Sequence, residues 1–117
     1  MSDKIKTGDD GEDLAAAFLM EKGYAILERN YRHKKSEIDL IISKGNWLVF
    51  VEVKTRSSTA YGYPEQFVDY SQKRMIFKGA LEYMYLKNWQ GNVRYDIVSV
   101  NLVGSGHKIY HIEDAFY

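Results

Sequence analysis

The strongest constraint on how this chain folds is a pair of segments, SEIDLIIS (residues 36–43) and WLVFVEVKTR (47–56), separated only by Lys44, Gly45 and Asn46. Both are rich in β-branched and aromatic residues and the separator is short and turn-forming, so they read as two antiparallel strands of a hairpin. In the second strand Val49, Val51 and Val53 fall on one face, while Leu48, Phe50, Glu52 and Lys54 fall on the other. With Gly45 and Asn46 as the central residues of a type II′ turn, Asp39 faces Glu52, Glu37 faces Lys54 and Ile41 faces Phe50. Moving the turn to Lys44 and Gly45 leaves Asp39 diagonal to Glu52, still on the same face.

Two carboxylates so placed, with Cβ atoms ~5 Å apart, repel by on the order of 3 kcal/mol at an effective dielectric of about 20. That is a large share of the ~5–15 kcal/mol by which a domain is stable. A salt bridge to Lys54, protonation of one acid, or a bound cation relieves it. Oxygen ligands without thiolate or clustered imidazole select hard ions such as magnesium, manganese or calcium. The same residues also read as a charged surface pair balanced by Lys54.

Around this hairpin the chain reads as α-β-β-β-α-β-β. The segment from Thr7 to Tyr24 has Asp9 or Asp10 to cap it and Gly23 to end it, and from Leu14 to Met20 it is apolar on every side, which predicts a buried helix. Glu12 shares the azimuth of Ala16 and Leu19 at the helix start and reads either as dipole and capping chemistry or as a ligand. Tyr24–Arg32 is a candidate strand and the basic run Arg29–Lys35 a loop, either solvated or phosphate-binding. Ser57–Tyr70, with the single proline, reads as a loop long enough to be functional. Ser71 can cap a second helix that Gly91 and Asn92 end; Val93–Val103 is a fourth strand, and Lys108–Phe116 a fifth strand or closing tail. The class is α/β (α+β), with helices against a mixed sheet.

With 117 residues this is a single domain over 1–117, and 45% hydrophobic with 15% aromatic content marks a folded one. There is no cysteine, which excludes disulfides, thiolate metal sites and a cysteine nucleophile. Sixteen basic residues balance sixteen acidic ones, so any polyanionic partner must be met by a local patch. No apolar run is long enough for a membrane span or a signal peptide, and the expected location is cytoplasmic, with no membrane partner. His33, His107 and His111 lack metal-ligand spacing.

The segments GEDLAAAFL, EIDLII, LVFVEVKTRS and RYDIVSV, in that order, resemble the YraN-like family of uncharacterised small bacterial proteins, along nearly the whole chain. Behind that family lies the restriction-endonuclease-like, or PD-(D/E)xK, superfamily, which includes small Holliday-junction resolvases. The resemblance implies a restriction-endonuclease-like fold, a mixed central sheet with an αβββαβ core and flanking helices. It also implies a Mg²⁺- or Mn²⁺-dependent nuclease hydrolysing DNA phosphodiesters, including branched or structured DNA. Carried onto this chain, its catalytic set is Glu12, Asp39, Glu52 and Lys54. Asp39, Glu52, the Val53 carbonyl and Glu12 would be metal ligands, and Lys54 would orient a water. Arg29, Arg32, Lys34, Arg56 and Lys73 are the candidate nucleic-acid contacts. Ile38 stands where the superfamily motif has proline, and Ser36 where YraN-like sequences usually have glycine. Resolvases cut as dimers, which makes a homodimer an expected partner, although no segment declares an interface. Two other readings stay open: a non-catalytic nucleic-acid-binding accessory on the same frame, and a partner-binding protein using a surface rich in its ten tyrosines.

Overall fold

A short turn between two strongly β-forming segments leaves them one way to pair, and the rest of the chain is arranged around that pairing. A computed structural model describes the backbone of residues 3–57 and 69–116, and within it the side chains from Asp10 onward. Its elements are α1 (Asp3–Glu21), β1 (Ala25–His33), β2 (Ser36–Lys44), β3 (Trp47–Arg56), α2 (Tyr70–Lys87), β4 (Asn92–Val103) and β5 (Gly106–Ile112). The sheet order is β1-β2-β3-β4-β5. Only β3 and β4 are parallel, joined through α2, so the sheet is mixed.

Gly45 takes φ +58 in the β2–β3 turn, and Ile41 pairs with Phe50, Leu40 with Val51 and Lys44 with Trp47, the register expected for Gly45 and Asn46 at the turn centre. β3 is the central strand, buried on both faces from Leu48 to Val51. On one face Val49 and Val51 pack with Ala15, Ala16 and Leu19 of α1. On the other, Leu48 and Phe50 pack with Ile76, Ala80 and Tyr83 of α2. The result is a helix–sheet–helix arrangement with one apolar layer on each side.

Several local expectations change. α1 begins at Asp3, so Asp9 and Asp10 lie inside the helix and not at its cap. Met20 is 55% exposed, because only one stripe of α1 meets the sheet. β1 runs to His33, so Arg29 and Arg32 sit in the strand, as the candidate strand Tyr24–Arg32 has them and against the loop reading of the basic run. Only Lys34, with φ +57, and Lys35 make the turn. Asp69, not Ser71, caps α2, accepting the Gln72 N–H at 2.8 Å. α2 ends at Asn88 in the left-handed region, and Asn92 already opens β4. Of the loop expected over Ser57–Tyr70, residues 58–68 lie outside the described residues, and Tyr70 belongs to α2.

Side-chain alternation in β2 breaks at one place. Leu40 and Ile42 pack with α1, yet Ile38, two residues before Leu40, packs with α2 beside Ile41. Opposite this point, between the Arg29–Leu40 and Tyr31–Ile38 pairs, Asn30 has φ +53. A residue in that conformation bends the ladder and re-aims its neighbours. The irregularity is centred on Asp39.

β4 buries a charge that was given no role in the sequence reading. Asp96 is fully buried on the α1 side, and each of its oxygens is satisfied. Arg94 bonds both at 2.8 Å, the Asp114 N–H donates at 3.0 Å, and His111 Nε2 donates at 2.6 Å. The Lys22 ammonium, a pure donor, reaches His111 Nδ1 at 2.6 Å, which leaves Nε2 as the ring's donor. This network ties the end of α1 to β4 and β5. Burial alone would raise the Asp96 pKa, but the hydrogen bonds from His111, Arg94 and Asp114 hold it below the ordinary carboxylate range.

Two outcomes follow for stability. A depressed carboxylate stabilises the fold above about pH 4 and loses that contribution as pH falls through its native value. Asp96→Ala, which also strands Arg94, is therefore expected to cost on the order of 3–5 kcal/mol in urea unfolding at pH 7 and to flatten the acid limb of the stability profile. Gly11 of α1 lies against Thr55, whose Oγ1, Cγ2 and Cβ would all overlap an added Cβ. Gly11→Ala should thus lower stability by ~1–2 kcal/mol, overpacking outweighing the helix-propensity gain of about 1 kcal/mol, and Thr55→Ala in the same chain should restore part of it.

Candidate functional site

The ladder carries Asp39 and Glu52 to one place. They directly follow the Leu40–Val51 pair, and alternation from Ile41 and from Phe50, both in the α2 layer, points Asp39 and Glu52 to the α2 side. Asp39 Oδ2 accepts the Val53 N–H at 2.8 Å. Glu52 Oε1 accepts the Gln72 side-chain amide at 2.9 Å and lies 3.5 Å from Lys54 Nζ. The side chains of Glu52 and Lys54 are only 11% and 14% exposed, so this charge cluster is largely out of water. It opens into a cleft of about 490 Å³ between the sheet and the first turns of α2, lined by Lys35, Glu37, Asp39, Glu52, Gln72 and Met75 among others.

Burial is the main cause of an Asp39 pKa raised to about 7, and the neighbouring Glu52 charge pushes the same way; the Val53 N–H and Lys54 only partly oppose them. Burial also raises Glu52, against the pull of Lys54 and the hydrogen bonds from Asp39 and Gln72. The two acids are thus held where they share a proton near neutral pH or welcome a cation. Asp96 is the contrast: a still more buried aspartate is driven the other way because Arg94, His111 and an N–H surround it. The difference lies in the donors supplied. Asp96 is finished by the protein, whereas Asp39 and Glu52 are left short of positive charge on the side facing a cleft.

Glu12 is placed by another contact. Its Oε1 is 3.7 Å from Arg29 Nε, on the strand position paired with Leu40, next to Asp39 in sequence. It is not part of the described cleft lining, and among the described residues no three acids or histidines come close enough to hold one ion together. Two carboxylates meet, therefore, where the sequence reading expected three. Arg29 is also engaged by Asp13 at 2.6 Å, and Arg32 by Glu37 at 3.6 Å. Arg56 Nη1 donates to the Thr55 carbonyl at 3.0 Å. Lys34 is exposed at the β1–β2 turn, and Lys73 sits partly buried in the first turns of α2. None of these five lines the cleft among the described residues; Lys35 does. Gln72 had no signal in the sequence, because only the docking of α2 on the sheet brings its amide to Glu52. Lys35 was visible as part of the basic run but was not separated from its neighbours.

The oxygen-only donors, the shortage of positive charge and the open cleft suit a hard dication. Among the described residues no helix is long and apolar enough to cross a membrane.

A family model described as uncharacterised protein family UPF0102 matches residues 11–100, a span holding Glu12, Asp39, Glu52 and Lys54. A UPF0102 protein of Flavobacterium psychrophilum is 44% identical over 117 residues, covering 100% of this chain and 98% of its own. A UPF0102 protein of Rhodococcus opacus is 42% identical over 120 residues, with 99% and 100% covered, and one of Thermodesulfovibrio yellowstonii is 41% identical over 114, with 97% and 98% covered. Likeness of this extent, from α1 through β4 and beyond, makes the chain a member of uncharacterised protein family UPF0102, the YraN-like family that its motifs resemble.

Proposed function

We propose that this protein is a Mg²⁺- or Mn²⁺-dependent nuclease that hydrolyses DNA phosphodiesters, branched or structured DNA included, on a restriction-endonuclease-like frame of the PD-(D/E)xK type. One observation carries the reading: Asp39 and Glu52 line one cleft, both half-buried, with Lys54 Nζ 3.5 Å from Glu52. The order α-β-β-β-α-β, with β3 and β4 parallel, supports the frame.

Asp39 and Glu52, with the Val53 carbonyl, would hold the ion, while Glu12 lies with Arg29, outside the cleft lining. Bound there, such an ion lowers the pKa of a water and screens charge developing on the phosphoryl oxygens. Lys54 supplies a donor within the same cluster, suited to orient the attacking water and to stabilise negative charge in a poorly solvated setting. Gln72 restrains one oxygen of Glu52. A second reading, a non-catalytic nucleic-acid-binding accessory, is favoured by the zero net charge and by the meeting of two acids instead of three.

Cleavage of linear, flapped and four-way DNA in Mg²⁺ and Mn²⁺ separates the two. The nuclease reading expects metal-dependent cleavage that falls at least ~100-fold in Glu52→Ala and in Lys54→Ala. DNA binding with no cleavage under any condition selects the accessory role, and cleavage that persists in Glu52→Ala removes the assignment.

The site also makes a prediction in pH. A carboxyl raised from about 4 in the unfolded chain to about 7 in the fold is favoured at low pH, so the metal-free protein loses stability as pH rises from about 4 to about 7. Asp39→Asn should therefore stabilise the metal-free protein at pH 8 by on the order of 2 kcal/mol and shrink the pH slope, read by thermal melts. Millimolar Mg²⁺ should stabilise the wild type at pH 8 by ~1–3 kcal/mol and leave Asp39→Asn nearly unmoved.

A further inference from the structure

The basic residues fall into two groups that the sequence does not separate. Arg29 is consumed by Asp13 and Glu12, Arg32 is engaged by Glu37, and Arg94 belongs to the Asp96 network. Lys34, Lys35, Lys73 and Lys78, by contrast, make no ion pair among the described residues, and Arg74 only covers the Tyr70 ring at 5.9 Å. In a chain of zero net charge, the stretch from Tyr70 to Leu81 holds Lys73, Arg74 and Lys78 and no acid.

Gly79 brings the two unpaired clusters together. It sits so close to β2 that an added Cβ would lie 3.1 Å from Ser36 Cβ and 3.3 Å from Ile38 Cδ1. Lys35 precedes Ser36 and Lys78 precedes Gly79, so this contact brings the chain segments that carry the two lysines together, and both lysines are exposed. Arg74 lies one turn before Lys78 on the same outer face of α2. Lys35 in turn lines the cleft that holds Asp39 and Glu52. The nearby acids are already occupied: Glu82 lies 3.9 Å from His33, Glu37 pairs with Arg32, and Asp69 caps α2.

We infer that the seam between the β1–β2 turn and α2, marked by Lys35, Arg74 and Lys78, is the track along which a nucleic-acid backbone runs into the cleft. Phosphates seat against these three side chains, and the Arg29 side of the sheet stays off the nucleic acid. Unpaired cations in a row, ending at an acid pair, complement a polyanion whose one phosphate is to meet a metal-holding site. This rests on the nuclease reading for what happens at the cleft but not for the binding itself.

Binding is measured with the full chain and a fluorescein-labelled DNA duplex in Ca²⁺, by anisotropy over a range of salt. Each phosphate contact contributes about 0.9 to the slope of log K against log salt. Replacing Lys35, Arg74 and Lys78 together by Ala is expected to reduce that slope by about 2–3 and to weaken binding at 0.1 M salt by at least ~10-fold. Lys35→Arg with Lys78→Arg should keep the slope, and Lys108→Ala, on β5, should leave it unchanged. A triple variant that keeps the wild-type slope while folded by circular dichroism, a Lys108→Ala loss of equal size, or a wild type that binds no DNA overturns the inference. Wild-type binding with the expected slope change but no cleavage in Mg²⁺ or Mn²⁺ supports the track and removes only the nuclease reading.

Discussion

The facing of Asp39 and Glu52 across the β2–β3 ladder is the constraint on which the rest of this protein depends. It is not an isolated surface feature. The register that aligns the two acids is the one that puts Leu40, Ile42, Val49 and Val51 into the α1 layer and Ile41, Leu48 and Phe50 into the α2 layer. A slip of one residue would exchange those side chains between the two layers, so the core enforces the acid pair at a cost to stability that the Val53 N–H and Lys54 only partly relieve. Asn30, in the left-handed region on β1, adds the local bend beside which Ile38 leaves the regular alternation. Backbone irregularity of this kind beside a charged cleft is the mark of a residue being aimed.

Two aspartates on the strands that flank β3, Asp39 half-buried on β2 and Asp96 fully buried on β4, show how the fold separates architecture from chemistry. Asp96 receives an arginine, a histidine and a backbone N–H, and its charge fastens α1 to β4 and β5. Asp39 receives one backbone N–H and faces a second acid, and its charge is left to be matched from outside. The pKa shifts run in opposite directions for that reason alone, since both groups are taken out of water. Positive charge is divided by the same logic. Arginines on the α1 side and in β4 are committed to internal acids, while lysines at the β1–β2 turn and along α2 remain uncommitted beside the cleft.

Much of the architecture was legible because it rests on short-range patterns. The β2–β3 hairpin, its turn and its register followed from β-branched alternation around Gly45 and Asn46, and the element order was read correctly through β5. The errors were at boundaries and in the environment of charged residues. The basic run was read as a loop because charge density signals solvent. In the fold Arg29 and Arg32 extend an edge strand whose side chains reach acids on α1 and β2. The cap of α2 fell on Asp69 and not Ser71, two residues that both cap well, and choosing between them needs the path of the preceding chain.

The sequence alone specifies a mixed α/β fold carrying an Asp–Glu pair and a lysine on one face of a hairpin. Alternation has a period of two, and a two-residue turn leaves little freedom in pairing. Only the tertiary structure decided that Gln72 of α2 restrains Glu52, that Glu12 lies with Arg29, that Asp96 is fully satisfied, and that Gly79 of α2 lies against Ser36 of β2. Each of these depends on how a helix docks on the sheet, a relation between residues far apart in the chain. It is set by which apolar faces bury one another, and no local pattern encodes the distance at which they do so.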